Sequence, residues 1–148
     1  TIKENNLDKF KKLFESYCQS NLKESDLVST INIDAEIQLS EVNGRMINFL
    51  KYLEPYGPKN SKPIFLSTNI KVQGMPKVLG KDQSTLKFKV KQDQSIYEAI
   101  GFRMIDEYEK LIVDRPIDIV YNISENHWKG KTSLQLEIKA IRYSNVKD

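Results

Sequence analysis

The sequence contains one cysteine and one histidine in 148 residues. Cys18 has no partner for an internal disulfide and suits a reducing compartment. It fits a small, partly buried helix position. His127 is far from it in sequence, so the two do not make a structural zinc site. No apolar run approaches the roughly 18 residues of a membrane span. The opening segment TIKENNLDKF has no apolar signal core. These two absences lead to the expectation of a cytoplasmic chain with no membrane partner. Glycine is sparse too. Gly57, Gly80 and Gly130 are isolated and form no phosphate-cradling loop. Thr132 and Ser133 lack the Gly-x-Ser-x-Gly elbow of a serine hydrolase. No repeat or low-complexity segment is present.

Charged residues make up 29% and apolar residues 39% of the chain, a globular rather than a disordered balance. The net charge of +3 is unevenly spread. Residues 1–57 carry 7 basic and 9 acidic side chains, whereas residues 58–148 carry 16 and 11. Basic surface in the second part permits binding to phosphate backbones.

Three parts follow from periodicity. Residues 2–20 place Leu7, Phe10, Phe14 and Tyr17 on one face of an amphipathic helix, opposite Lys9, Lys11, Lys12 and Glu15. That stripe needs a partner surface, since a short helix alone is marginal in water. Ile31, Ile33, Ala35, Ile37 and Leu39 alternate with polar neighbours and predict a strand over 30–39. Ser40 is placed to cap a helix over 41–53, with Val42, Met46, Phe49, Leu50 and Leu53 as its apolar face. Pro55, Gly57 and Pro58 then stop it.

Residues 58–143 read mainly as β. Strands are predicted near 64–78, 85–91, 95–102, 116–123 and 132–142, with a short helix over 103–110. On the second strand Leu86, Phe88 and Val90 alternate with lysines; the fourth and fifth carry Ile117, Ile119, Tyr121, Ile123 and Leu134, Leu136, Ile138, Ala140 on single faces. The fold class is α+β, mainly β. Five strands with a helix between the third and fourth have the order of an OB-fold barrel, preceded by an N-terminal helix and a strand-helix lead-in. The expected organisation is 1–29 helix, 30–57 connector and 58–148 barrel.

Several segments resemble one family. Leu53-Glu54-Pro55-Tyr56-Gly57-Pro58-Lys59-Asn60, followed by Lys62-Pro63-Ile64-Phe65, is similar to the "LEPFGxGNPxPxF" signature of RecJ, the bacterial single-strand-specific DNA exonuclease. Ile33-Asp34-Ala35-Glu36-Ile37 resembles its "IDAEL" segment. Leu79-Gly80-Lys81-Asp82 with Leu86-Lys87 resembles "GKDxxHLKL". Asn126-His127-Trp128-Lys129-Gly130 with Ser133-Leu134-Gln135-Leu136 resembles "NEWNGxxSLQL". The order matches across residues 31–142. Three positions depart from the pattern: Thr85 replaces a histidine, His127 a glutamate and Lys59 a glycine. Lys59 implies that no positive φ is needed there.

The resemblance implies an OB domain of an exonuclease whose catalysis lies elsewhere. RecJ-like proteins carry it in a DHH domain, where Asp and His side chains hold two divalent metals, Mn or Mg. A DHH-associated domain follows, of which helix 2–20 would be a remnant. The implied setting is DNA repair and recombination, with polarity 5′ to 3′. The chain itself shows no Asp-His-His. Asp106, Glu107 and Glu109 are the densest acids, but two carboxylates on an exposed turn are a poor cage for a hard cation. Asp34 and Glu36 share a strand face with no base or ligand beside them. The expectation is a chain without catalytic residues, metal or cofactor of its own.

What remains is binding. Single-stranded DNA is held by basic grooves and aromatic platforms. Lys87, Lys89 and Lys91 recur along one strand face at about 6–7 Å, near the phosphate repeat of an extended strand. Arg103 follows strand three. Trp128, flanked by Lys129 and Lys131, falls in the predicted loop between strands four and five, which lines the binding face in OB folds. The bland alternatives are a solvated lysine face, which protects edges, and a tryptophan plugging the barrel end. The leading reading is a module for single-stranded DNA. The alternative is an interaction module that docks on the catalytic domains or on single-strand-binding protein. An RNA-binding domain rests on fold analogy alone.

Overall fold

The computed structural model describes residues 2–145, the side chains of Glu24 and Trp128 excepted. The last three residues of the expected barrel segment lie outside it. The chain divides into two units, residues 1–32 and 33–148.

In the first unit, α1 (Leu7–Asn21) follows a 3-10 turn at Glu4–Asn6, and a second such turn spans Glu24–Leu27. Phe10 and Phe14 stack one helical turn apart, ring centroids 5.7 Å. The stripe of Leu7, Phe10, Phe14 and Tyr17 is nonetheless exposed. The partner surface that the sequence calls for is therefore not supplied within this unit.

The second unit begins with a lead-in that departs from the predicted strand over 30–39. Only β1 (Ala35–Glu36) is a strand, pairing parallel with Phe65–Leu66. It is pinned by side chains: the Asp34 carboxylate accepts the Ile64 N–H at 2.8 Å and the Glu36 carboxylate accepts the Thr68 hydroxyl at 3.0 Å. The alternation beyond it has another origin. Ile37 and Leu39 turn into the core while Ile31 and Ile33 stay exposed. Ser40 lies inside a 3-10 turn, Leu39–Glu41, and does not cap the helix. Asn43 does, because its extended backbone lets the side-chain oxygen accept from Arg45 N and Met46 N at 3.0 and 3.2 Å. α2 (Gly44–Tyr52) thus starts three residues later than predicted. Within it Ile47 is buried beside Leu50, and Phe49, predicted on the apolar face, stays outside.

Five long strands close a barrel: β2 (Phe65–Leu79), β3 (Thr85–Gln92), β4 (Ser95–Gly101), β5 (Ile117–Trp128) and β6 (Lys131–Tyr143). The order is β2-β3-β4-β6-β5, closed by pairing of β5 with β2. Only β4 and β6 run parallel within it. A 3-10 turn (Ile105–Glu107) and α3 (Tyr108–Ile112) join β4 to β5, the OB-fold connectivity. The predicted inner faces of β3 and β5 are buried, from Leu86 to Val90 and from Ile117 to Ile123. β6 differs. Pairing passes from Val120–Ala140 to Tyr121–Ile138, so Lys139 is an extra residue. This bulge flips the alternation: Ile141 enters the core and Ala140 faces out.

Candidate nucleic-acid interface

Because Leu86, Phe88 and Val90 point inward, Lys87, Lys89 and Lys91 point outward from β3. The neighbouring strand adds to them. In the β2–β3 register Lys77 stands opposite Lys87 and Lys71 opposite Lys91, with Gln73 opposite Lys89. Directly opposite side chains lie on one face about 5 Å apart, and like charges in that position are destabilising. Among the described residues only one of these five lysines has an acidic partner: Lys87 Nζ lies 3.0 Å from Glu98 Oε2 on β4. Both of those side chains are about a third exposed, so the pair adds little stability.

Two grooves indent this face. One, of about 320 Å³, lies between a bulge in β2 and the β3–β4 pair; Gln73, Met75, Lys77, Lys87, Lys89 and Glu98 line it. The bulge spans Gln73–Lys77. Gly74 adopts φ +74° there, with open space where a Cβ would be, and Met75 stands 70% exposed. The other groove, about 470 Å³, includes Lys71, Lys91, Asn69 and Asp93. Its wall is fixed by Gln92, whose side chain accepts from Leu39 N at 2.7 Å and donates to Thr68 O at 2.9 Å.

The remaining sequence-predicted residues lie at the two ends of this face rather than in one cluster. Arg103, at φ 55°, follows β4 beside the Gly80–Ser84 loop, to which Met104 N is bonded through Ser84 O. Asp82 in that loop is held below the usual carboxylate range, first by the Ser84 hydroxyl and also by the Arg103 charge. Gly80 is required here: at φ +91° a Cβ would meet Asp82 Oδ1 at 2.7 Å. Lys129 and Lys131 belong to the opposite end. β6 starts parallel to β4, with Gln135 opposite Glu98, which places the β5–β6 tip near the Lys91 end. Trp128 is not in a loop as predicted. Its backbone ends β5, paired with Lys131, and the connection is only Lys129-Gly130, both at positive φ as in a type I′ turn. The Trp128 side chain lies outside the described residues.

Sequence reasoning missed Lys71, Lys77, Met75 and Phe102. The first two share the outward parity of Gln73, which the alternation of β2 could have revealed. Phe102 is 55% exposed two positions beyond Ile100, continuing the outward positions of β4 next to Arg103.

The segments that carry the family resemblance have mostly structural work. Tyr56 donates to Leu50 O at 2.7 Å and so closes the end of α2. Asn60 Nδ2 donates to Leu53 O and Pro55 O, holding the turn together. Asn122 ties that segment to β5 through Lys62 O and Pro63 O. Lys59 has no positive φ. Glu107 is taken up by Lys110 at 2.6 Å. Among the described residues no three His, Cys, Asp or Glu side chains converge on a point that would hold a metal ion. The resemblance places the Mn or Mg in the DHH domain rather than in this barrel. No helix among them is long and apolar enough to cross a membrane.

The family described as RecJ OB domain matches residues 33–140, the whole lead-in and barrel up to the outer part of β6. The chain belongs to the RecJ OB domain family. It is similar to the single-stranded-DNA-specific exonuclease RecJ of Bacillus subtilis (strain 168), with 23% identity over 139 residues. That match covers 94% of this chain and 18% of the relative. Crystal structures of RecJ from Thermus thermophilus, with Mn2+ and with Mg2+, superpose with TM-scores of 0.74 and 0.70 at 20% and 21% identity. Each match covers 99% of this chain, and 20% or 21% of the other. The chain thus spans about a fifth of the relatives it matches, and this RecJ OB domain shares their fold over nearly its full length.

Proposed function

We propose that this RecJ OB domain is a non-catalytic module that holds single-stranded DNA for a single-strand-specific exonuclease acting in DNA repair. One observation carries the reading: two cross-strand pairs, Lys77–Lys87 and Lys71–Lys91, set ammonium against ammonium on the outer face of β2–β3. Such pairs are unfavourable in the free protein. Phosphates bound between them remove the cost. OB folds take oligonucleotides on the face of their second and third strands, here β3 and β4, flanked by the loop that joins the first two barrel strands and the last hairpin; the lysine face shares β3 with it. In this fold those are the Gly80–Ser84 loop and Lys129-Gly130. Arg103 and Phe102 extend the track at one end, Lys129 and Lys131 at the other, and exposed Phe102 offers a surface on which a base stacks. Catalysis belongs to the rest of the exonuclease, with its Mn or Mg, and the module delivers the 5′ end to it.

The docking alternative keeps one observation of its own: α2 presents Phe49 and Tyr52 to solvent, the latter 86% exposed. An exposed aromatic pair of this kind suits contact with the catalytic domains or with single-strand-binding protein.

The two readings separate on salt. Each lysine on a phosphate releases about 0.7 of a counterion from a single strand, so replacing Lys77, Lys89 and Lys91 by Ala is expected to lower the log–log salt slope by about 2. Base preference should stay, because phosphate contacts carry no sequence information. Fluorescence anisotropy with a labelled oligonucleotide at several salt concentrations measures the slope, and circular dichroism checks the fold. A folded triple variant with an unchanged slope would move the site and favour docking.

A further inference from the structure

We propose that the groove beside the β2 bulge is a base-reading subsite that prefers amino-bearing bases to thymine, with Glu98 as the residue that reads them. The proposal rests on the nucleic-acid reading above. At about 320 Å³ the groove falls within the size range of small-ligand pockets, about 300–1,000 Å³. Its rim supplies cations for the phosphate, Lys77 and Lys89. Met75, carried on the Gly74 bulge and 70% exposed, offers a flexible, polarisable thioether to a base. Glu98 is the one carboxylate lining it.

A carboxylate on β4, beside the lysine face of β2 and β3, repels the phosphates that the face attracts, so it weakens binding of any strand. What it contributes is a direction. An ionised carboxylate only accepts hydrogen bonds. Lys87 occupies Oε2 at 3.0 Å and leaves Oε1 as an acceptor for a ligand. Cytosine presents its N4 amino group to such an acceptor. Uracil and thymine present the O4 carbonyl in the same place, acceptor against acceptor. Unpaired strands expose that edge, because no complementary base covers it.

The test is competition binding of the 148-residue chain with equal-length oligomers of dC, dU and dT. The dU oligomer removes the methyl group of thymine from the comparison. Wild-type protein is expected to bind dC about five-fold more tightly than dU, near the lower end for one direct base contact. Glu98→Gln keeps the shape but can both donate and accept. It is expected to bring the dC/dU ratio to about one and to raise affinity for dU, since the repulsion is gone. Lys89→Ala is expected to lower the salt slope and keep the ratio. Equal binding of dC and dU by the wild type, or an unchanged ratio in Glu98→Gln, overturns the subsite and leaves the phosphate track standing. Failure of all three oligomers to bind overturns the nucleic-acid reading and the subsite together.

Discussion

Ser67→Ala is expected to destabilise the barrel by about 2–6 kcal/mol, as two buried polar groups lose their partner at roughly 1–3 kcal/mol each. Ser67 is fully buried on β2. Its hydroxyl donates to Ile37 O at 2.7 Å and lies 2.9 Å from the Tyr121 hydroxyl. A serine has one proton, so Tyr121 must be the donor of the second bond. Tyr121 is itself fully buried, and burial pushes its hydroxyl up to about 12, so it keeps its proton across the physiological range. The chain Tyr121 to Ser67 to Ile37 therefore fastens the lead-in to the inside of the barrel. Alanine strands both ends. Tyr121→Phe removes only a donor and leaves the Ser67–Ile37 bond, so it should cost less, about 1 kcal/mol. Urea unfolding of the two variants measures the order. A Phe variant as damaging as the Ala variant would mean that the bonds do not run in this direction.

Asp118→Ala is expected to cost about 2–3 kcal/mol at neutral pH, and much less in acid. Asp118 is buried at the start of β5. Its carboxylate accepts from Asn69 N at 3.2 Å, from the Ser144 hydroxyl, and from Arg142 Nε at 2.9 Å. The Asn69 bond matters most for the fold, because Asn69 sits at φ 56° where β2 shifts register between Ser67 and Ile70. Burial alone would raise the Asp118 pKa; the hydrogen bonds from Ser144, Asn69 and Arg142, with the Arg142 charge, outweigh it and lower it. A folded-state value below the unfolded one, about 3.9, stabilises above that pH and loses the contribution as pH falls through the folded value. Unfolding at pH 7 and again below pH 3 should therefore show the gap between wild type and variant shrinking. A gap of equal size at both would remove the charge from the account.

The barrel was legible where one face of a strand is buried and the other wet. Leu86, Phe88 and Val90 against their lysines, and Ile117 to Ile123, carry that period without interruption, and both faces stand as predicted. The same rule misled over 30–39, where alternation comes from two parallel-paired residues followed by a 3-10 turn. It also failed at Lys139, since a bulge leaves no mark on the local pattern. The helix start was missed because Ser40 reads as a good cap, whereas Asn43, which the sequence reading passed over, is made the cap by its extended backbone. The candidate site was half legible. One strand's lysine row is a local pattern. Its doubling by Lys71 and Lys77 depends on register, and register is fixed by the β2 bulge and the closing of the barrel.

That closing has a consequence for how the chain reaches its fold. The seam joins Phe65 to Tyr121, and Ala99 meets Leu136. Neither pair gains anything until a long loop has been brought together, and the entropy of that step comes first. The β2–β3 and β3–β4 hairpins form from neighbours, so they lead, and the seam follows. A barrel of this topology belongs among the slower small folders, with refolding in about milliseconds to seconds. During synthesis the three-stranded meander emerges with both outer edges open; β5 is the strand that covers the β2 edge, and the β4 edge waits for β6.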